Sequence, residues 1–175
     1  MTPPTPVFAD LLATCNSDAI HFEGRDTYSP NDEAFQRWKR EHGLSAEVTR
    51  RWWGSWIDLA GAAIHRGVRI RRARVVSEPL SDYTRYEHDI TQDLNIAAGE
   101  QVRWLSRDRA PHALTVPIND FWVFDDHTAL ILRHDGDGEE TQRQLSHDRD
   151  VVAELRAAFE VIWAVACDHR DYQPR

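Results

Sequence analysis

The densest group of side chains with chemical potential follows a run of basic and β-branched residues. Val68 to Val76 leads into Ser77 and Glu78, Pro79 breaks the run, and Ser81-Asp82-Tyr83 opens the next amphipathic stretch. In α/β sheets ligands gather beyond the carboxyl ends of strands, where helix N-termini present unpaired N–H groups. Glu78 and Asp82 are therefore candidate polar anchors for a cation or an arginine, and Tyr83 is a stacking or hydrogen-bonding partner. Further along, Arg107 is placed as an anion or ion-pair partner, Asp120 as another polar group and Trp122 as a wall. These six form the expected ligand-binding set. The plainer reading of the first three is a capped helix start with solvated acids.

Three other groups compete. Arg69, Arg71, Arg72 and Arg74 alternate, so a strand puts the first two on one face and the last two on the other. Phosphate or nucleic-acid binding is the sharp reading, and ion pairing with the chain's many acids is the plain one. Asp120, Asp125, Asp126, His127, His134, Asp135 and Asp137 could recruit a divalent metal. No spacing among them matches a ligand motif, and aspartates are common in turns. Trp38, Trp52, Trp53 and Trp56 have helical spacing and read as core, with a dimer face or ligand shelf as the alternative. His21, His65, His88 and His112 each stand alone and read as surface or satisfied core histidines. There is no GxSxG, no glycine-rich phosphate loop and no hydrolase acid pair. No catalytic residue, metal or cofactor is assigned.

The elements that must position these groups follow from periodicity. Phe8 to Leu12 reads as a short helix and Ala19 to Glu23 as a strand. Ser29-Pro30 reads as an N-cap with proline at the first helical position, and Gly43 closes that helix. Ser45 caps a second helix carrying Val48, Trp52, Trp56, Leu59, Ala63 and Ile64, with Gly54 as a kink site and Gly67 as its end. Val68 to Val76 is a strand. Ser81 caps a helix whose buried stripe is Tyr83, Ile90, Leu94 and Ala97, ended by Gly99, and Gln101 to Leu105 is the next strand. Helix, strand, helix, strand favours parallel pairing. Phe121 to Phe124, Thr128 to Arg133 and Thr141 to Leu145 are joined by short Asp-rich turns, which imply antiparallel hairpins. A strong amphipathic helix from Val151 to Ala166 closes the chain.

The expected fold is therefore α/β: a mixed sheet with central parallel strands and C-terminal antiparallel hairpins, flanked by helices. It forms one domain over 1–175, with 1–18 as an N-terminal extension and 19–175 as the α/β unit. A chain of 175 residues suits one core. A net charge of -8 makes the whole molecule a poor polyanion binder, so nucleic acid is not the expected partner. Lys39 is the only lysine, which a GC-rich genome explains more simply than a demand for guanidinium forks. Cys15 and Cys167 are expected as free thiols in a reducing, cytoplasmic setting. The start, Met1 to Cys15, reads as neither a signal peptide nor a membrane span.

The stretches Gly67 to Glu87, Ala97 to Pro111 and Asn119 to Asp126 resemble an uncharacterised actinomycete family. It shares a Pro-Leu-Ser-Asp-Tyr turn, an Ala-Gly-Glu lead into a strand, and an Asp-Phe-Trp-x-Phe-Asp-Asp hairpin. The similarity runs from about Phe22 to Trp163. The family's association with helix-turn-helix regulators implies a regulatory role. The second half also resembles a phospholipase D-like half-domain, with Phe159 and Trp163 fitting its closing helix. Active members carry His-x-Lys before an acid on the hairpin. Here Asn119 and Phe121, or Ile118 and Asp120 in the other register, stand at those positions, so the resemblance implies loss of that reaction.

The expected function is a non-catalytic regulatory module that binds a small ligand or a protein partner such as a transcription regulator, with a homodimer expected on base rate alone. The alternatives are a metal-assisted hydrolase or nucleotide-acting enzyme, and a nucleic-acid binder using the arginine strand.

Overall fold

The computed structural model describes residues 6–29, 31–112 and 114–175. The Pro/Thr-rich start that the sequence marks as loose lies outside these residues except for Pro6, and so does Pro30. A seven-stranded mixed sheet forms the frame, in the order β6-β5-β4-β1-β2-β3-β7. The strands are β1 (Asp18–Glu23), β2 (Arg69–Val76), β3 (Gln101–Ser106), β4 (Asp120–Phe124), β5 (Thr128–His134), β6 (Glu140–Ser146) and β7 (Cys167–Asp168). The helices are α1 (Pro6–Thr14), α2 (Glu33–Glu41), α3 (Ala46–His65), α4 (Asp82–Thr91) and α5 (Arg149–Val165).

β1, β2 and β3 are parallel, linked through α2 and α3 and then through α4. β4 returns antiparallel beside β1, and β5 and β6 continue as a meander. The two-residue β7 covers the outer side of β3; it is too short to leave a periodic signal in sequence.

Alternation along the central strands divides the core. Ile20, Phe22, Ala73, Val75, Phe121 and Val123 point to the face covered by α5, where Val152, Phe159 and Ile162 meet them. Ala19, Ile70, Trp122, Phe124 and Leu130 point to the opposite face, under α1 to α4. Phe8 and Leu12 of α1 are buried in that same cluster, so residues 6–14 share the core of the sheet.

Local chemistry sets the element ends. α2 is capped by Asp32, whose carboxylate accepts from Ala34 N and Phe35 N at 2.8 and 3.1 Å. Ser29 is not the cap: it lies outside the helix with φ 34, and an ionised Asp nearer the first turn satisfies two orphan donors. Ser45 and Ser81 cap α3 and α4 as expected. The α3 kink falls at Trp53, next to Gly54.

After α4 the chain makes one π-helical turn, Gln92–Ile96. The wider turn slips the phase of the apolar stripe by one residue. Ala98 is buried and Ala97 is exposed, reversing the sequence expectation. The slip also turns Asn95 inward, where its amide donates to Glu100 Oε1 at 2.8 Å.

Candidate functional site

The helix-covered face of the sheet carries a line of buried charge. Glu23 lies at the end of β1, and Arg72 and Arg74 lie beside it on β2. Arg72 donates from Nη1 to Glu23 (2.6 Å) and from Nε to Glu100 (3.0 Å). Arg74 donates from Nε to Glu23 (2.6 Å) and from Nη1 to Thr91 (2.7 Å), with Nη2 3.4 Å from Glu87. Acid and guanidinium thus alternate along Glu100, Arg72, Glu23, Arg74 and Glu87. All five are buried. Arg72 lies 5.7 Å from the Trp56 ring centre and 5.5 Å from that of Trp122, and Arg74 lies 4.9 Å from the Trp104 ring centre. Each guanidinium bridges two carboxylates, a task for a planar fork. Burial alone would raise Glu23, but Arg72 and Arg74 outweigh it and hold its carboxyl well below the usual range.

A cavity of about 110 Å³ opens beside this line, over the carboxyl end of β1. Its floor comes from the sheet: His21 and Glu23 of β1, Arg72 of β2, Asp120 and Trp122 of β4, and Leu130, Leu132 and His134 of β5. Helices supply Phe8, Trp56, Tyr83 and Glu87, and the connection after β1 adds Tyr28 and Ser29. Glu140 and Arg143 of β6, paired with each other at 2.9 Å, complete the rim.

Two carboxyls here sit far above their ordinary range. Burial pushes Asp120 up to about 7, against hydrogen bonds from Tyr28 and the Gly24 N–H (2.8 Å), with Glu23 adding to the rise. Burial also pushes Glu87 up to about 7, since Arg74 compensates only in part and Glu23 opposes it. The Tyr28 hydroxyl is raised by burial and by the carboxylates of Asp120, Glu23 and Glu87 together.

His21 is the least satisfied group. It is 6 % exposed and stacked on Trp122 (ring centres 4.1 Å, 15° between planes). Among the described residues, neither ring nitrogen has a hydrogen-bond partner. Its Nδ1 is 3.7 Å from Glu23 Oε1, too long for a hydrogen bond. Burial, then Arg72, keeps the imidazole neutral. The sequence expectation of a satisfied core histidine fails here, because β1 places the ring in a cavity rather than against a partner.

The expected ligand set is divided by the fold. Tyr83, Asp120 and Trp122 line the cavity. Glu78 instead accepts from Tyr172 Oη (2.7 Å) and Arg109 (2.9 Å) at the end of β2. Asp82, exposed on α4, pairs with Lys39 at 3.1 Å. Arg107 donates to the Gly24 carbonyl. These three are held in structural bonds away from the cavity. His21, Glu23, Tyr28, Arg72 and Glu87 take their places. A readable signal did exist: His21 and Glu23 alternate with apolar residues on one strand, and Arg72 and Arg74 do so on another.

The competing groups resolve by the same geometry. Arg69 and Arg71 pair with Asp18, and Arg71 also binds Glu160 at 2.6 Å beneath α5. The arginine strand is thus neutralised, and three of its four guanidiniums are buried. The acid and histidine group separates to opposite ends of the β4–β5 hairpin. Asp125 accepts from the N–H groups of Asn16, Ser17 and Asp18, Asp126 pairs with Arg156, and Asp135 caps its own turn. Among the described residues, no three His, Cys, Asp or Glu side chains converge as metal ligands would. Cys15 and Cys167 are free thiols.

Residues 6–174 match the family described as a domain of unknown function, DUF6879. The chain belongs to the DUF6879 family. The match is wider than the Phe22 to Trp163 span carried by the sequence motifs, and it takes in α1, whose Phe8 reaches the cavity. No curated protein matches the chain. Among its described residues, no helix of this DUF6879 domain is long and apolar enough to cross a membrane.

Proposed function

We propose that this DUF6879 domain is a non-catalytic binding module that holds a small polar molecule in the cavity over β1 and serves a partner regulator. The observation that carries the reading is His21. A buried imidazole with two unpartnered nitrogens costs stability. A fold keeps such a group where a ligand completes its hydrogen bonds. The aromatic walls and the few convergent polar groups suit a small-molecule site.

The link to a helix-turn-helix regulator, the degenerate phospholipase D-like origin and a cytoplasmic setting belong to this proposal. Support for the second is the mixed sheet closed by α5, where Phe159 and Trp163 stack at 5.5 Å. Binding of nucleic acid through β2 gains no support, since its arginines are spent on carboxylates.

The test is a fragment panel followed by NMR on the Trp122 indole and His21 ring signals. Ligands are expected to shift both, and His21→Phe is expected to remove the response. A panel that moves neither signal, or hits that map elsewhere and survive His21→Phe, would refute the reading.

A further inference from the structure

The charge inventory of the cavity points to one ligand class. Four carboxyl side chains line it, Glu23, Glu87, Asp120 and Glu140, against two guanidiniums, Arg72 and Arg143. Arg72 is committed to Glu23 and Glu100, and Arg143 binds Glu140. Arg74, just outside the lining, is shared by Glu23 and Glu87 and serves the latter only at 3.4 Å. Asp120 has neutral donors alone among its hydrogen bonds, from Gly24 N and Tyr28. Guanidinium hydrogen bonds are therefore used up before Asp120 is reached, where Arg25, bonded to the Asp135 carbonyl, acts only through space, and Glu87 receives only a share.

The donor and acceptor pattern agrees. A neutral His21 offers a lone pair on one ring nitrogen. Asp120 and Glu87 offer carboxylate oxygens, and Tyr28 and Tyr83 add ring faces, which attract cations. An anion would meet carboxylates on several sides of the cavity.

We propose that the cavity takes a small organic cation, an ammonium, amidinium or guanidinium group on a short planar or apolar stem, whose N–H groups are divided among Asp120, Glu87 and the free nitrogen of His21. The proposal rests on the small-ligand reading above and names its chemistry. Binding a cation drives both carboxyls to their ionised form, so protons leave as the ligand enters. The groups that face this exchange are His21 and Glu23 from β1, Arg72 and Arg74 from β2, and Asp120 from β4. Glu87 and Tyr83 face it from α4, His134 from β5, and Glu140 and Arg143 from β6. Tyr28 and Arg25 face it from the connection after β1. Asp120 and Glu87, both pushed up to about 7, are placed to change charge near neutrality.

Three probes of one shape separate the outcomes: benzamidinium, neutral benzamide and anionic benzoate. Each is titrated into the full chain while the Trp122 and His21 signals are followed between pH 6 and 8. Benzamidinium is expected to bind tightest, and its affinity to fall about tenfold from pH 8 to pH 6 if one carboxyl is engaged, or about 100-fold if both are. Asp120→Asn, isosteric and checked as folded by its own spectrum, is expected to weaken benzamidinium about tenfold or more at pH 8 and to flatten the pH dependence. Benzamide or benzoate binding as tightly at Trp122 overturns the cation proposal and leaves the small-ligand reading standing. No response to benzamidinium overturns it as well. The small-ligand reading falls with it only if benzamide, benzoate and the fragment panel are silent too.

Discussion

At the residue scale, His21 and Arg72 show opposite bargains. His21 is buried without partners, so exchanging it for an apolar ring should not harm the fold. His21→Phe keeps the stack on Trp122 and can swell into the cavity. We expect it to raise stability by about 1 kcal/mol in chemical denaturation while abolishing ligand response. A marked loss of stability would show instead that the imidazole is structural. Arg72 is the reverse case, since one guanidinium holds Glu23 and Glu100 together. Arg72→Lys offers a point charge that reaches one of them. The stranded carboxylate should cost about 3–5 kcal/mol, read as a fall in urea midpoint. Little change would mean that the bridge is dispensable. A fall of that size would make guanidinium chemistry a requirement at this position, whatever codon bias explains elsewhere.

At the element scale, the strap after β1 forms part of the cavity wall. Tyr28 and Ser29 line the cavity, and Ser29 N donates to Gly138 O (3.1 Å) in the β5–β6 turn. Gly138 has φ +89, and a Cβ there would lie 2.7 Å from the Thr27 carbonyl oxygen. Gly138→Ala must therefore lift the strap or the turn. We expect a cost of about 2 kcal/mol, together with weaker ligand binding although no lining residue has changed. Unaltered affinity would detach the strap from the site. Most elements are legible in sequence, because caps such as Ser45 and Ser81 and the alternation of β2 are local signals. The π-helical turn is not legible, since it depends on packing that turns Asn95 toward Glu100. Half of the expected set lies away from the cavity for a related reason. Glu78 and Asp82 do follow a strand, but their partners Tyr172 and Lys39 arrive from distant parts of the chain. The alternation of His21 with Glu23 marks a shared face of β1, but the lack of partners that singles out His21 exists only in three dimensions.

At the scale of the whole molecule, buried titrating groups set the pH profile of stability. Asp120 and Glu87 have folded values near 7, above their unfolded values near 4, so the folded state binds more protons between these limits. Their contribution falls as pH rises from about 4 to 7 and is constant above that. His21, His88, His134 and His169 are depressed by burial, His169 to about 4. Their contribution is intact above the unfolded histidine value of about 6.5 and is lost as pH falls below it. The depressed histidines erode stability as pH falls below about 6.5 and the raised carboxyls erode it as pH rises to about 7, so stability should peak between about pH 6 and 7. Urea midpoints from pH 5 to 9 would show this, and Asp120→Asn should raise the alkaline side selectively. A curve still climbing at pH 8 would contradict the assignment.

The stack of His21 on Trp122 also makes the molecule its own optical reporter. A neutral imidazole quenches indole emission weakly and an imidazolium strongly, so anything that shifts electron density or a proton at that ring alters the light Trp122 returns. With Trp56 against Trp122 in the same chamber, ring centres 5.8 Å apart, occupancy should be visible in intrinsic fluorescence with no label attached.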